Sequence, residues 1–304
     1  MENIIVGIGE ILWDVFPRGK VLGGAPANFV YHASQFGLDG YAVSAIGLDS
    51  LGDEIIENLN SKELKHLIQR VEDPTGTVRV KVNENGVPQY EILEEVAWDN
   101  IHFTPEMEEL ARKTKTVFFG TLAQRHKTSR KTINQFLDAM PVDSLKIFDI
   151  NLRQHFYSKE LIDHSLLQSN VLKINDDELI IVAELFGWKI ESEIKICQQI
   201  LEDYQLNLVI LTKGTKGSYV ITKSETYFKP TPSIVVVDTV GAGDSFTAAF
   251  VASLLRGQSV SQAHQLAVDV SAFVCTQRGA MPLLPDSLLN RVPLTGDDFI
   301  LSSI

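Results

Sequence analysis

The chain has 304 residues, 44% of them hydrophobic, which is enough to bury one large α/β core with room for a small appended subdomain. A formal net charge of −12 argues against nucleic acid or an anionic membrane as partner. It does not argue against a nucleotide, whose phosphates are held by local amides, a lysine and Mg²⁺. No apolar run approaches the ~20 residues of a membrane span, and the start, Met-Glu-Asn-Ile-Ile-Val-Gly, runs straight into a strand without the basic segment of a leader. Cys197 and Cys275 stand far apart in core-like surroundings. A cytoplasmic protein with two buried thiols is expected.

Residues 3–9 alternate branched residues with glycine and read as the first core strand. Gly7-Ile8-Gly9 lacks the third glycine of a dinucleotide fingerprint. Asp14 follows, open between a turn acid ahead of Pro17 and a ligand. In Gly23-Gly24-Ala25-Pro26-Ala27-Asn28, paired glycines let the backbone approach a polyol, and Asn28 offers donor and acceptor to one hydroxyl. The same residues could be a plain loop and helix start, with the helix running to Gly37. From Thr75 to Ile92 the pattern alternates with period two around a turn at 83–86, a hairpin with one polar face. Together with residues 14–22 it would form a small sheet standing off the core.

From Thr116 onward, strands at 117–120, 146–150, 171–174 and 208–212 alternate with helices, one of them near 129–139. This is the pattern of a parallel sheet with crossover helices, whose ligands gather at the carboxyl ends of strands. Asp149-Ile-Asn-Leu-Arg153 lies at one such end, and Arg153 is open between a charge stabiliser and a structural ion pair. Asn175-Asp-Asp-Glu178 follows another strand and has the spacing of a capping box. Thr212-Lys-Gly-Thr-Lys-Gly217 turns into a strand at 218–221, with Lys213 facing either a phosphate or solvent. There is no P-loop sequence.

The stretch with the most chemistry is Ile234 to Phe250. Ile234 to Val237 reads as a buried strand, and the residues after Ser245 as a buried helix. Between them, Gly241-Ala242-Gly243 would open the helix with unpaired amides and the positive end of its dipole, which favours an anion. Asp244 beside that spot would repel a phosphate. It is therefore either a helix cap or a base that takes the proton of a hydroxyl attacking a phosphoryl group. A small, apolar helix follows at 263–276, then Gly279-Ala-Met-Pro282, and a tail from Pro285 with helix-like apolar spacing.

The string Asp238-Thr-Val-Gly-Ala-Gly-Asp-Ser-Phe246 closely resembles the C-terminal motif of the ribokinase-like (PfkB) family of sugar and nucleoside kinases. Gly23 to Asn28, continued by residues 45–54, resembles the family's N-terminal motif. The resemblance covers essentially the whole chain. It implies one ribokinase-like α/β domain over 1–304, a three-layer sandwich with a mostly parallel central sheet and a small β-sheet lid from about 14–22 and 75–98.

Residue by residue, the resemblance implies that Asp14, Gly23, Gly24 and Asn28 bind the sugar and Asp244 is the base. Gly241, Ala242 and Gly243 would form the anion hole, with Arg153 as a stabiliser. ATP would lie against Asn175, Thr212, Gly214, Gly217, Gly241 and Gly243, with helix 263–276 beside the adenine. Glu178 would organise Mg²⁺ through water, and Asp238 a monovalent cation such as K⁺, although Leu283 stands near a position where some relatives carry serine. The lid is expected to pair two subunits in a homodimer. Residues 94–101 are similar to bacterial fructokinases in particular, which makes fructose the expected acceptor. Ketodeoxygluconate or ribose come next, a sugar acid needing a further cation from Arg18, Lys20 or Arg79. A non-catalytic sugar sensor on the same fold should have lost the base or the glycine turn, and both are present.

Overall fold

The computed structural model describes residues 3–16, 19–82, 88–189 and 191–293, with side chains described for all of these except 80–82 and 88–90. The turn expected at 83–86 and the cation expected at Arg18 lie outside them. In chain order, β1 (Ile4–Ile8) leads into the hairpin β2 (Leu12–Phe16) and β3 (Gly19–Gly23), then α1 (Ala25–Gln35), β4 (Asp39–Gly47), α2 (Ser50–Ser61) and β5 (Lys65–Val71). After β6 (Thr77–Val82) and β7 (Pro88–Ile92) come α3 (Pro105–Lys113), β8 (Thr114–Gly120), α4 (Lys127–Ala139), β9 (Leu145–Asp149) and α5 (Lys159–Gln168). The chain continues through β10 (Val171–Asn175), α6 (Asp176–Phe186), α7 (Glu193–Asp203), β11 (Leu208–Thr212), β12 (Ser218–Thr222) and β13 (Thr226–Lys229). It closes with α8 (Ala242–Leu255), α9 (Val260–Cys275) and α10 (Asp286–Leu289).

Nine strands form one sheet in the order β13-β12-β11-β10-β9-β8-β1-β4-β5, parallel except where β12 pairs with β11 and β13. Side chains of successive residues go to opposite faces, which is why these strands read as unbroken apolar runs. Val6, Phe119, Phe148 and Leu211 join the core beneath α3 to α7, while Ile5, Phe118, Ile147 and Ile210 join the core beneath α1, α2, α8 and α9. The result is helix, sheet, helix. A second sheet of four strands, β3-β2-β6-β7, stands apart from it, as the period-two pattern predicts. Among the described residues, no helix is long and apolar enough to cross a membrane.

From β1 the chain passes to β4 on one side, whereas β8 pairs with the other edge of β1 and leads on to β9. Connections therefore diverge at β1 and β8, and the crevice beyond their carboxyl ends is where open α/β sheets bind ligands. Gly7, whose neighbour Gly9 suggested a nucleotide turn, has a packing role: a side chain there would collide with the Pro26 carbonyl of α1.

One expectation fails. Ile234 to Val237 is not a buried strand but an unpaired surface segment, with Val235 83% exposed. Pro230 and Pro232 separate it from β13 and cannot donate to a ladder. The amides of Val237 and Asp238 instead donate to the Cys275 carbonyl at the end of α9. Branched residues favour strands, but pairing depends on what lies alongside.

Candidate active site

Asp244 lies at the third position of α8, whose first turn has no side-chain cap, so Asp244 is not the cap that one reading allowed. Gly241 caps the helix through its backbone at φ +77, and a Cβ there would lie 2.7 Å from the Ala280 carbonyl oxygen. Only glycine fits on both counts. Gly243 rests against Lys173 of β10: a Cβ on Gly243 would sit 3.0 Å from the lysine Nζ. That lysine is buried and bonds both carboxylate oxygens of Asp149 at 2.8 and 3.0 Å. Burial alone would depress the lysine, but the charges of Asp149, Glu178 and Asp244 more than reverse this and keep it a cation. The Gly243 and Asp244 amides and the Lys173 ammonium thus come together in the first turn of α8, whereas the Ala242 amide, expected in the anion hole, is taken by the Thr239 carbonyl at 3.3 Å.

The Asp244 carboxyl accepts one hydrogen bond from Nδ2 of Asn28, at 2.9 Å. Burial pushes it up to about 6, helped by the negative charge of Asp149 and opposed by Asn28, Lys173 and Arg153. Asn28 reaches it because α1 packs on α8 and long helical side chains lean toward the helix N-terminus. Around the start of α1, Gly23 and Gly24 leave room for the acids of the preceding segment. A Cβ on Gly23 would be 2.6 Å from Oδ2 of Asp14, and one on Gly24 would collide with the Glu10 carbonyl. Burial pushes Asp14 up to about 6, and Glu10 up to about 7, with Arg153 opposing both. Arg153 itself is exposed and donates to the Leu152 carbonyl at 3.0 Å, yet its charge acts on Glu10, Asp14 and Asp244 together. The structure thus brings Asp14, Gly23, Gly24, Asn28, Arg153 and Asp244 to one place.

The residues expected at the nucleotide follow the adjoining strand ends. Asn175 ends β10 and caps α6, accepting from the Glu178 amide at 2.8 Å while Glu178 accepts from the Asn175 amide at 3.0 Å. The other Glu178 oxygen accepts from the Leu152 amide at 2.9 Å, which ties the Arg153 loop to α6. Burial, with Asp149 adding to it, raises the Glu178 carboxyl. Thr212 ends β11, and Gly214 and Gly217 occupy the turn after it at φ +52 and +108. Lys213 pairs with Glu193 of α7. Asp238 uses one carboxylate oxygen for the Val240 amide at 3.1 Å and the other for the Gly279 amide at 3.0 Å. The helix expected beside the adenine is α9, packed on α8.

Three residues of this site escaped the sequence reading: Glu10, Lys173, and Asp149 as the partner of Lys173. Each has a faint signal, a charge set in an apolar run, as in Gly-Ile-Gly-Glu-Ile-Leu and Val-Leu-Lys-Ile. A charge in such a run has to be paired or used.

The site agrees with what the sequence is related to. The profile of the pfkB family of carbohydrate kinases matches residues 11–287. An ATP-dependent 6-phosphofructokinase of Thermoanaerobacterium thermosaccharolyticum is 29% identical over 302 residues, covering 93% of this chain and 91% of the relative. A fructokinase of Rhizobium leguminosarum bv. trifolii is 23% identical over 304 residues, covering 95% and 90%. Among solved structures, a fructokinase from Xylella fastidiosa with bound ATP superposes with a TM-score of 0.82 at 18% identity, covering 96% of this chain and 98% of that one. The chain belongs to the pfkB family of carbohydrate kinases, enzymes that transfer a phosphoryl group to a sugar hydroxyl.

Proposed function

We propose that this kinase phosphorylates the primary hydroxyl of D-fructose at the expense of ATP, with Asp244 as the general base. The observation that carries the reading is Asp244 in the uncapped first turn of α8 with the Lys173 ammonium against the preceding Gly243, its carboxyl raised to about 6. Such a carboxylate is ionised at neutral pH yet basic enough to take a hydroxyl proton as the oxygen attacks. The amides of Gly241, Gly243 and Asp244 and the Lys173 ammonium would then stabilise charge on the transferred phosphoryl without reorganising, the Ala242 amide being taken by Thr239. Asp14, Gly23, Gly24 and Asn28 orient the acceptor, and Arg153 offsets the negative charge gathered there.

ATP would lie along Asn175, Thr212, Gly214, Gly217, Gly241 and Gly243. No group of three or more acidic, histidine or cysteine side chains able to hold a metal occurs among the described residues, and both Glu178 oxygens already accept amides. This donor set fits Mg²⁺ arriving with the nucleotide and keeping its waters, with Glu178 behind them. The ion would supply charge neutralisation between the phosphates. Asp238 and neighbouring carbonyls would be the place for K⁺.

A second acceptor deserves a place in the assay. The phosphofructokinase relative is more similar in sequence than the fructokinase, which favours testing fructose 6-phosphate beside fructose. The sugar-acid alternative is less well supplied: Lys20 pairs with Glu54, and Arg79 is exposed. The small sheet acts as a lid over the sugar, and its exposed Val15, Phe16 and Val21 would meet a second subunit in a homodimer. Light scattering that returns a monomer at micromolar concentration would remove the dimer.

The deciding experiment is a coupled ADP-release assay with Mg·ATP, with and without K⁺. Acceptors are fructose, fructose 6-phosphate, ribose, ketodeoxygluconate, glucose and adenosine. Turnover with fructose supports the proposal, whereas turnover confined to another acceptor keeps the mechanism and discards the substrate. Silence across the panel would favour a sugar sensor.

A further inference from the structure

Two buried side-chain oxygens near the first turn of α1 have no hydrogen-bond partner: Oε2 of Glu10 and Oδ1 of Asn28. A buried acceptor left without a donor is costly, so two together need an explanation. Both belong to one small region. The backbone amides of Glu10 itself and of Ala25, the first residue of α1, act on the Glu10 carboxyl and favour its anion. The Asn28 amide bonds the Gly24 carbonyl, and Gly24 is pressed onto the Glu10 carbonyl. Helical side chains lean toward the N-terminus, so the Asn28 carboxamide leans back over the first turn of α1, beside the Gly24 that meets Glu10. The other end of that carboxamide, Nδ2, is committed to Asp244 at 2.9 Å.

We propose that Glu10 is a positioning residue that acts as a neutral acid: its Oε2–H donates to Oδ1 of Asn28 and fixes the carboxamide with Nδ2 toward Asp244. One proton then satisfies both orphaned oxygens. The inference rests on the reading of Asp244 as the base and deepens it. Two charged groups from other elements act on Glu10, Arg153 from the loop after β9 and Asp244 from α8. Arg153 favours the anion, whereas burial, the largest influence, and Asp244 favour the acid, and the balance pushes Glu10 up to about 7. An ionised Glu10 would draw the NH₂ of Asn28 to itself. The carboxamide would then present Oδ1 to the Asp244 carboxylate, acceptor against acceptor. The proton on Glu10 therefore decides which end of Asn28 faces the base.

Two substitutions separate this from a merely structural role. Glu10→Gln keeps a donor and cannot ionise, and Glu10→Met keeps the volume without a donor. In the unsubstituted enzyme kcat should fall as pH rises through about 7, and in Glu10→Gln that alkaline fall should vanish from the profile. Glu10→Met should lose ~10–100-fold in kcat at unchanged KM for ATP, the effect of one misaligned hydrogen bond to a charged base. A readout that does not need turnover is NMR, in which the side-chain amide signal of Asn28 should move in the same pH step as the Glu10 carboxyl carbon. An alkaline fall that persists in Glu10→Gln, full activity in Glu10→Met, or an Asn28 signal blind to Glu10 would each overturn the proposal. If Glu10→Met fails to fold, the Glu10→Gln profile and the NMR titration decide. If the unsubstituted enzyme turns over no acceptor, it is the kinase reading that fails, and the NMR titration judges Glu10 alone.

Discussion

The carboxyls around the crevice fall into two groups that differ in how they are partnered. On the nucleotide flank, Glu178 and Asp238 have each oxygen taken by a backbone amide, joining α6 to the Arg153 loop and the segment before α8 to Gly279. On the sugar flank, Glu10, Asp14 and Asp244 are buried or half-buried, and burial pushes all three well above ordinary carboxyls. Saturated carboxylates act as struts. Asp14 and Asp244, raised as Glu178 also is but less fully partnered, carry an unspent demand for hydrogen bonds that a polyol can meet. Between the groups lies the Lys173–Asp149 pair, buried like the second and satisfied like the first.

The largest effect should come from Asp244→Asn. Losing the base should cut kcat by ~10²–10⁴-fold while sugar affinity changes little, and near-normal turnover in the coupled assay would sink the assignment. The same variant sharpens the contrast through stability. The folded pKa of Asp244, about 6, lies above the ordinary value of 3.8, so folding takes up protons between those values. Ionising the group as pH rises through about 6 therefore costs the folded state stability. Asn cannot ionise, so the dead enzyme should melt at a higher temperature than the active one at neutral pH. A lower melting temperature would mean that Asp244 is as well partnered as the struts.

Lys173→Met tests the pair in the middle. It leaves Asp149 charged and buried, which should cost about 3–5 kcal/mol in urea unfolding. Replacing Asp149 by Leu in the same chain should recover most of that stability but not the activity, because the cation beneath Gly243 is still missing. Recovery of both would place Lys173 outside the reaction.

The pH dependence of kcat/KM for the sugar should show an acid limb at about 6, where Asp244 gains its proton. Activity should fall about tenfold per pH unit below it, since a protonated carboxyl cannot accept the hydroxyl proton. The limb should disappear from the residual rate of Asp244→Asn. If it survives there, Asp14, also raised to about 6, is the group being titrated.

Much of this site was legible in the sequence, and the reason is local. Gly241 to Asp244, Gly23 to Asn28 and Asn175 to Glu178 are each a strand or loop running into a helix start, where glycine, asparagine and acid have few alternative uses. Their assembly in one crevice followed from parallel strands sharing a carboxyl edge. What stayed hidden depends on contacts across the fold. Lys173 matters through Asp149 and Gly243, residues 24 and 70 positions away, and nothing local to β10 announces either. Glu10 matters through α1, which returns to it only after the β2–β3 hairpin. Ile234 to Val237 misled for the opposite reason: the local signal was strong, but strand pairing is decided elsewhere, by two prolines and the Cys275 carbonyl.

The smallest expected effect probes the struts. In Glu178→Gln the side chain keeps its shape but can offer only one carbonyl oxygen to two amides, those of Asn175 and Leu152. Its NH₂ must face one of them, donor against donor. Loss of this reciprocal cap should cost about 1 kcal/mol, read as a lower urea midpoint at unchanged slope. KM for the sugar should rise slightly, because the freed loop carries Arg153, whose charge acts on Glu10, Asp14 and Asp244. Were the sugar KM unchanged at the lowered urea midpoint, Arg153 would keep its place without the tie from Leu152 to Glu178, and the strut would brace α6 alone.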